Sequence, residues 1–196
     1  MSKLVLQMQM SADGFVGGEG QAAWQLWDWV GECPWDAALK RDFNLFFQDV
    51  GTILLSRKMA EEGYIDHWAK AAGRFPQDRF YAFARRITEI PKVVLSRELK
   101  DCRWARTRVA GGDLAREVGA LKQGGAGDIA VFGGTGFASA LVASDLVDEY
   151  QFFINPVALG SGQRLFAQSG FRRLRLLGSV AYGCGIVVNR YGRASR

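Results

Sequence analysis

The chain has 196 residues, enough for one sizeable core and with no need of a second domain, and 48% of them are hydrophobic. Its apolar runs fall well short of the ~18 residues that suggest a membrane span, and the first strand-like stretch is broken by glutamines where a secretory leader would be uniformly apolar, so a soluble cytoplasmic protein is expected. A net charge of +5 with acidic and basic residues interleaved argues against nucleic acid as the partner, and the one histidine (His67) and three scattered cysteines (Cys33, Cys102, Cys184) suggest neither a metal site nor a disulfide framework.

Residues 4–10 alternate aliphatic residues with glutamine and methionine, which predicts a strand ended by the turn Ser11-Ala-Asp-Gly14. Asp13 reads as a residue that shapes this turn. A loop over about 18–35 follows. It holds Trp24, Trp27, Trp29 and Trp35, four of the six tryptophans, and so much aromatic surface has to cover something apolar. That surface is either a satellite core beneath the loop or a lid over a flat ring.

Residues 36–50 carry apolar side chains at Leu39, Phe43, Phe46, Phe47 and Val50, a helical spacing opened by the N-cap candidate Asp36. Asp42 and Phe46, four apart, share a face of that helix. A short buried strand over 52–55 runs into Ser56-Arg57-Lys58 and a polar helical stretch. Residues 61–73 read as helix and loop, 77–88 as an amphipathic helix, and 92–96 as a strand ending in Ser96-Arg97. A strand around 104–109, a helix over 113–123 and a glycine-rich turn come next.

Residues 129–132 form a β-branched apolar run that breaks into Gly133-Gly134-Thr135-Gly136 before an Ala-rich helix from about Phe137. Strand, glycine turn, helix is an arrangement that admits an anion, because backbone N–H groups at a helix start are unpaired and glycines let a ligand come close. A Rossmann unit does not fit, since this turn lies two thirds of the way along with no mononucleotide-binding half before it. The chain closes with alternating stretches over 172–180 and 185–191, an antiparallel pair, with Arg173 and Arg175 as a solvated face. The element order predicts an α/β fold of three layers, α/β/α, with a mixed, mostly parallel sheet and a C-terminal antiparallel hairpin.

Three junctions at carboxyl ends of predicted strands therefore carry phosphate-compatible chemistry: Ser56-Arg57-Lys58, Ser96-Arg97 and Gly133-Gly134-Thr135-Gly136. In an open α/β sheet such junctions converge on one ligand, and an extended polyanion such as a phosphorylated dinucleotide has matching charge.

Taken in order, Ser11-Ala-Asp-Gly-Phe-Val-Gly17, Ile53-Leu-Leu-Ser-Arg57, Lys92-Val-Val-Leu-Ser-Arg97, Val131-Phe-Gly-Gly134, Leu146-Val-Asp-Glu-Tyr150, Asn155-Pro-Val-Ala-Leu-Gly160 and Arg164-Leu-Phe166 make the chain resemble the dihydrofolate reductase superfamily. Within it, the chain is similar to the C-terminal reductase domain of the riboflavin-biosynthesis deaminase-reductase. The resemblance covers nearly the whole chain and departs at Ser56, where the family commonly has glycine. It implies a single reductase-like domain over 1–196 that binds NADPH and transfers hydride to a C=O or C=N group of a small heterocyclic or ribosyl substrate. By position, Arg57, Ser96 and Arg97 would hold the adenosine 2′-phosphate. Arg57-Lys58 and the turn of Gly133, Gly134, Thr135, Gly136 and Phe137 would take the pyrophosphate, and Val16-Gly17 would line the nicotinamide. A carboxylate near a Pro-Trp pair would assist protonation. Asp42 is preferred over Asp36, which also reads as a helix cap, and Trp35 and Phe46 would contact substrate. A pterin or dihydrofolate reductase, and a nucleotide-binding module without turnover, are the alternatives. A homodimer is implied by the resemblance alone, and no metal is expected.

Overall fold

A computed structural model describes residues 2–18, 35–125 and 127–194, so that the aromatic loop, apart from its two ends, lies outside the described residues. The chain divides into two compact units, one comprising Met1–Leu4 and Ala37–Gly134, the other Val5–Asp36 and Thr135–Arg196. Strand β1 (Leu4–Ser11) runs from the first into the second.

The first unit is built on β2 (Val50–Ser56), β3 (Lys92–Leu95), β4 (Thr107–Ala110) and β5 (Asp128–Phe132), all parallel in the order β4-β3-β2-β5. Ile53, Leu54, Leu55, Val94, Ala130 and Val131 are all fully buried, as a parallel strand covered on both faces requires. Helices α1 (Ala37–Asp49), α2 (Arg57–Glu61), α3 (Tyr64–Arg74), α4 (Ala82–Glu89) and α5 (Leu114–Gln123) complete it.

The apolar spacing read along 36–50 is what seats α1. Leu39, Phe43 and Phe47 are its buried residues, and Phe47 stacks on Phe132 of β5 at 6.2 Å while Phe43 and Phe47 meet Phe83 of α4. Tyr64 and Trp68 of α3 join the same aromatic cluster. His67 packs edge-on against Trp68 at 4.6 Å. Truncating Phe47, 1% exposed, would cost about 3–5 kcal/mol by the usual range for a buried aromatic. Asn44 ties the helices together with its amide: its Oδ1 accepts the N–H of Phe83 at 2.6 Å, and its Nδ2 donates to the carbonyls of Lys40 and Phe80.

Element ends differ from the sequence reading in several places, among them Val50, expected at the end of the first helix but opening β2. The amphipathic stretch 77–88 divides into a 3-10 turn at Arg79–Tyr81, capped by Asp78, and α4 proper. Strand β4 begins at Thr107 and not near Trp104, because Arg106 takes a positive φ of 54° that no strand accommodates. The helix expected from Phe137 starts two residues earlier, at Thr135.

The second unit orders its strands β1-β6-β8-β7, with β6 (Glu149–Asn155), β7 (Leu174–Ala181) and β8 (Val187–Arg193). β1 and β6 are parallel, with Gln7 opposite Gln151 and Gln9 opposite Phe153, whereas β6, β8 and β7 are antiparallel, the closing pair expected from the sequence. Helix α6 (Thr135–Ala143) buries Ala138, Leu141 and Val142. Arg173 and Arg175 are exposed, as expected of a solvated face, but the leucines between and beyond them are not buried in exchange. Leu176, Leu177 and Val180 of β7, and Phe171 just before it, are exposed, and β7 is the end strand. Among the described residues no helix is long and apolar enough to cross a membrane.

Candidate functional site

In the first unit, β3, β2 and β5 are neighbours, with Leu95 beside Ser56 and Leu55 beside Phe132. Their carboxyl ends therefore share one edge, and Ser96-Arg97, Arg57-Lys58 and Gly133-Gly134 all leave from it. Three junctions singled out in the sequence are brought together by strand order alone. Ser56 ends β2 in an extended conformation (φ −70°, ψ 153°), and its hydroxyl accepts the Met59 N–H at 3.2 Å, so it is the N-cap of α2. At five residues α2 has little dipole to offer an anion, and the positive potential comes from the side chains of Arg57 and Lys58.

Arg57 spreads its guanidinium between two carboxylates, Glu61 at 3.3 Å and Glu98 at 3.1 Å, and Lys58 lies 3.6 Å from Glu62. All of these side chains are well exposed, so each pair contributes at most ~1 kcal/mol and yields readily to a stronger anion. Ser96 Oγ accepts the N–H groups of Glu98 and Leu99 and keeps its own proton to donate. Arg97 is exposed and, among the described residues, has no ion-pair partner.

Gly134 and Gly136 are both exposed, neither has a positive φ, and a Cβ at either would meet, beyond its own neighbours and helix backbone, no heavy atom of the described residues within 4 Å. Neither glycine is thus required by backbone conformation or by packing against the protein. Thr135, Gly136 and Phe137 belong to the first turn of α6 and not to a free turn, which corrects the sequence reading; the unpaired N–H groups of a helix start consequently lie at these residues.

Within the second unit, Val16 and Gly17 are held by residue Gln163. The Val16 N–H donates to the Gln163 carbonyl at 2.9 Å, and the Gln163 N–H returns to the Gly17 carbonyl at 2.9 Å. A Cβ on Gly17 would lie 3.3 Å from Gln163 Oε1 and 3.8 Å from Thr135 Oγ1, so the expected nicotinamide-lining residue and the start of α6 are close in space. Gly162 supports this bridge at φ +151°, where a Cβ would stand 2.2 Å from the Gly17 carbonyl oxygen; only glycine fits. Arg164 lies over the Phe15 ring at 4.6 Å.

Asp13 shapes this turn, as expected, by a means the sequence does not spell out. Its carboxylate accepts the N–H groups of Leu159 (3.1 Å) and Gly160 (2.7 Å), clamping the turn to the loop after β6. The Ser11 side chain and then the Gly160 N–H hold its pKa down to about 2.

Of the two candidate carboxylates, Asp42 is half-exposed on α1 and pairs with Arg41 at 3.2 Å, and Phe46, one turn on, meets Phe47 edge-on. Asp36 is half-buried and its Oδ2 accepts the Cys184 N–H at 3.1 Å, in the turn between β7 and β8. Trp35 is buried and stacks on Phe153 at 5.3 Å with the rings 8° from parallel. Gln163, the partners of Asp13 and a row of polar side chains running from buried positions on β1 and β6 to Arg190 of β8 escaped the sequence reading. The glutamines in the first strand were a visible signal, but their partners lie more than 140 residues away.

The model of the RibD C-terminal domain matches residues 2–188 of this chain. YyaP of Bacillus subtilis (strain 168) is 25% identical over 188 residues, spanning 94% of this chain and 92% of YyaP. Among solved structures, a putative riboflavin biosynthesis protein from Shewanella sp. PV-4 superimposes with a TM-score of 0.69 at 17% identity, covering all of both chains. Dihydrofolate reductase from Enterococcus faecalis, complexed with NADP(H) and RAB-propyl, gives 0.55 at 14% identity over 98% of this chain and 97% of its own.

Proposed function

Because the chain belongs to the RibD C-terminal domain family, we propose that it is an NADPH-dependent reductase acting on a small heterocyclic or ribosyl substrate. The observation that carries the reading is the pair Gly134 and Gly136, whose open space answers to nothing inside the protein and suits a ligand phosphate laid against the backbone. The alignment of Ser96-Arg97, Arg57-Lys58 and Gly133-Gly134 on one sheet edge supports it, and so does the NADP(H) named in the complex of the Enterococcus reductase.

In this proposal Arg57, Arg97 and the Ser96 hydroxyl grip the 2′-phosphate, Arg57 exchanging Glu61 and Glu98 for phosphate oxygens. Lys58 and the backbone at Gly133, Gly134, Thr135, Gly136 and Phe137 take the pyrophosphate, and Val16-Gly17, fixed by Gln163, line the nicotinamide. The coenzyme, when bound, supplies hydride. The chain's own part is to orient the acceptor, keep water away and deliver the proton that accompanies hydride addition to C=O or C=N. Asp42 is the preferred proton donor, with Asp36 second because the Cys184 amide already engages it; Trp35 and Phe46 contact substrate. A cytoplasmic location and a homodimer complete the reading, the latter supported by the exposed apolar residues of β7.

Titration with NADPH and NADH tests it. NADPH should bind more tightly, and Arg57→Ala should lower NADPH affinity by about 10- to 150-fold, the equivalent of ~1.5–3 kcal/mol for a charged hydrogen bond, with little effect on NADH. Equal, weak binding of both by the native protein would refute the assignment. Oxidation of NADPH by a panel of reducible heterocycles then separates an enzyme from a binding module.

A further inference from the structure

Arg57 and Glu98 join two of the junctions that share the sheet edge. Arg57 opens α2 directly after β2, Glu98 stands two residues past Ser96 in the loop after β3, and Arg57 Nη2 lies 3.1 Å from a Glu98 carboxylate oxygen. Each partner is anchored by a serine. Ser56 Oγ accepts the Met59 N–H and fixes the first turn of the helix that carries Arg57. Ser96 Oγ accepts the Glu98 N–H at 3.1 Å and the Leu99 N–H at 2.8 Å, and the Ser96 N–H is tied in turn to the Ala110 carbonyl of β4 at 3.0 Å. With both backbones held, only side-chain rotation can part the pair.

The charges around it are unevenly shared. Arg57 already has a carboxylate on its own helix, Glu61, four residues on at 3.3 Å, and Glu98 is its second. Arg97, between Ser96 and Glu98, has no ion-pair partner among the described residues. A phosphate arriving between the two junctions therefore meets one cation that is available and one that Glu98 helps to occupy. The Glu98 side chain is 76% exposed, so it can swing into water without stranding a buried charge. An exposed pair of this kind favours its closed form by no more than about fivefold, the equivalent of ~1 kcal/mol, and a ligand that needs the open form loses apparent affinity by that factor.

We propose that Glu98 is a specificity-determining residue: its carboxylate holds the place at Arg57 that the coenzyme's 2′-phosphate takes, so NADPH has to open the pair whereas NADH, which lacks that phosphate, leaves it closed. Selectivity is a difference of affinities, and a group that opposes one ligand alone shifts it. Glu98 thus moderates the preference for NADPH that Arg57 and Arg97 create. The inference rests on the coenzyme reading given above.

Calorimetric titrations with NADPH and NADH test it on the full chain, in the native protein, Glu98→Gln, Arg57→Ala and the double variant. Glu98→Gln keeps the length of the side chain and removes its charge; it should tighten NADPH binding about three- to fivefold and leave NADH within about 1.5-fold. On the Arg57→Ala background the same change should bring no gain beyond about 1.5-fold, because no guanidinium remains to be released. A pair that merely ties two loops together would instead lower the unfolding temperature on Glu98→Gln and move both coenzymes alike. Unchanged NADPH affinity in Glu98→Gln, a gain shared equally by NADH, or a gain that survives undiminished without Arg57 overturns the assignment, and each of these leaves the coenzyme reading standing if the native protein prefers NADPH. Native and Glu98→Gln proteins that bind neither coenzyme, or both equally, would sink that reading and the role of Glu98 with it.

Discussion

Raising the pH from about 8 to 10.5 should stabilise the protein through one buried cation, Lys92. Its side chain, 1% exposed at the start of β3, donates from Nζ to the carbonyls of Thr88 at 3.0 Å and Ile90 at 2.8 Å, with no carboxylate beside it among the described residues. Burial, and secondarily the charge of Arg106, lowers its pKa from 10.5 to about 8. Below pH 8 the lysine is charged in both folded and unfolded chains, and the folded state bears the whole cost. Between 8 and 10.5 the unfolded chain keeps a proton that the folded chain has released, so the free energy of unfolding climbs with pH across that window. At 1.36 kcal/mol per pH unit the climb amounts to about 3 kcal/mol.

Lys92→Met removes the titrating group and deprives two carbonyls of a donor, each worth ~1–3 kcal/mol, so at pH 7 relief and loss nearly offset. The quantity to measure is the difference in unfolding free energy between native and Lys92→Met proteins, by urea denaturation followed by tryptophan fluorescence from pH 7 to 10.5. Subtraction cancels other groups, including Tyr64 and Tyr150, whose phenols are raised by burial. The native protein should gain about 3 kcal/mol on the variant across the window; a flat difference would refute the reasoning.

Gly162→Ala should destabilise the protein by at least ~1–3 kcal/mol, the cost of a strained backbone, because its Cβ would overlap the Gly17 carbonyl. Thermal unfolding measures that loss, and NADPH titration should show weakened binding as the Gly17–Gln163 bridge opens. Asp13→Asn should speed hydrogen exchange at the amides of Leu159 and Gly160, which lose a charged acceptor. In the native protein the same amides should lose protection as pH falls through the Asp13 pKa of about 2, since a depressed carboxylate contributes only while ionised; protection unchanged down to pH 1.5 would contradict the clamp.

What could be read from the chain followed the physics of each element. Runs such as 53–55 and 129–132 declared themselves as buried parallel strands because both faces must be apolar, and the phenylalanine spacing of α1 marked its buried stripe. Asp113 announced the start of α5, and its Oδ1 indeed accepts the N–H groups of Ala115 and Arg116. The start of α6 was placed late because Gly134 and Gly136 resemble turn glycines; in the fold they serve neither turn nor packing. Arg106 gave no warning of its positive φ. The polar row ending at Gln7 was hidden for another reason: it depends on the pairing of residues 7, 149, 151 and 190, which only the strand order β1-β6-β8 brings side by side.

The solvent-facing apolar side chains of β7 have a consequence for how copies of this molecule treat one another. A terminal strand that offers unfilled hydrogen-bonding groups together with Leu176, Leu177 and Val180 is a template on which a further strand can grow. Arg173 and Arg175 guard its entrance, so a chain arriving in parallel register would bring like charges face to face, whereas one running the opposite way would keep them apart. Charge at the entrance thereby favours the antiparallel approach, and added salt, by screening that repulsion, relaxes the preference.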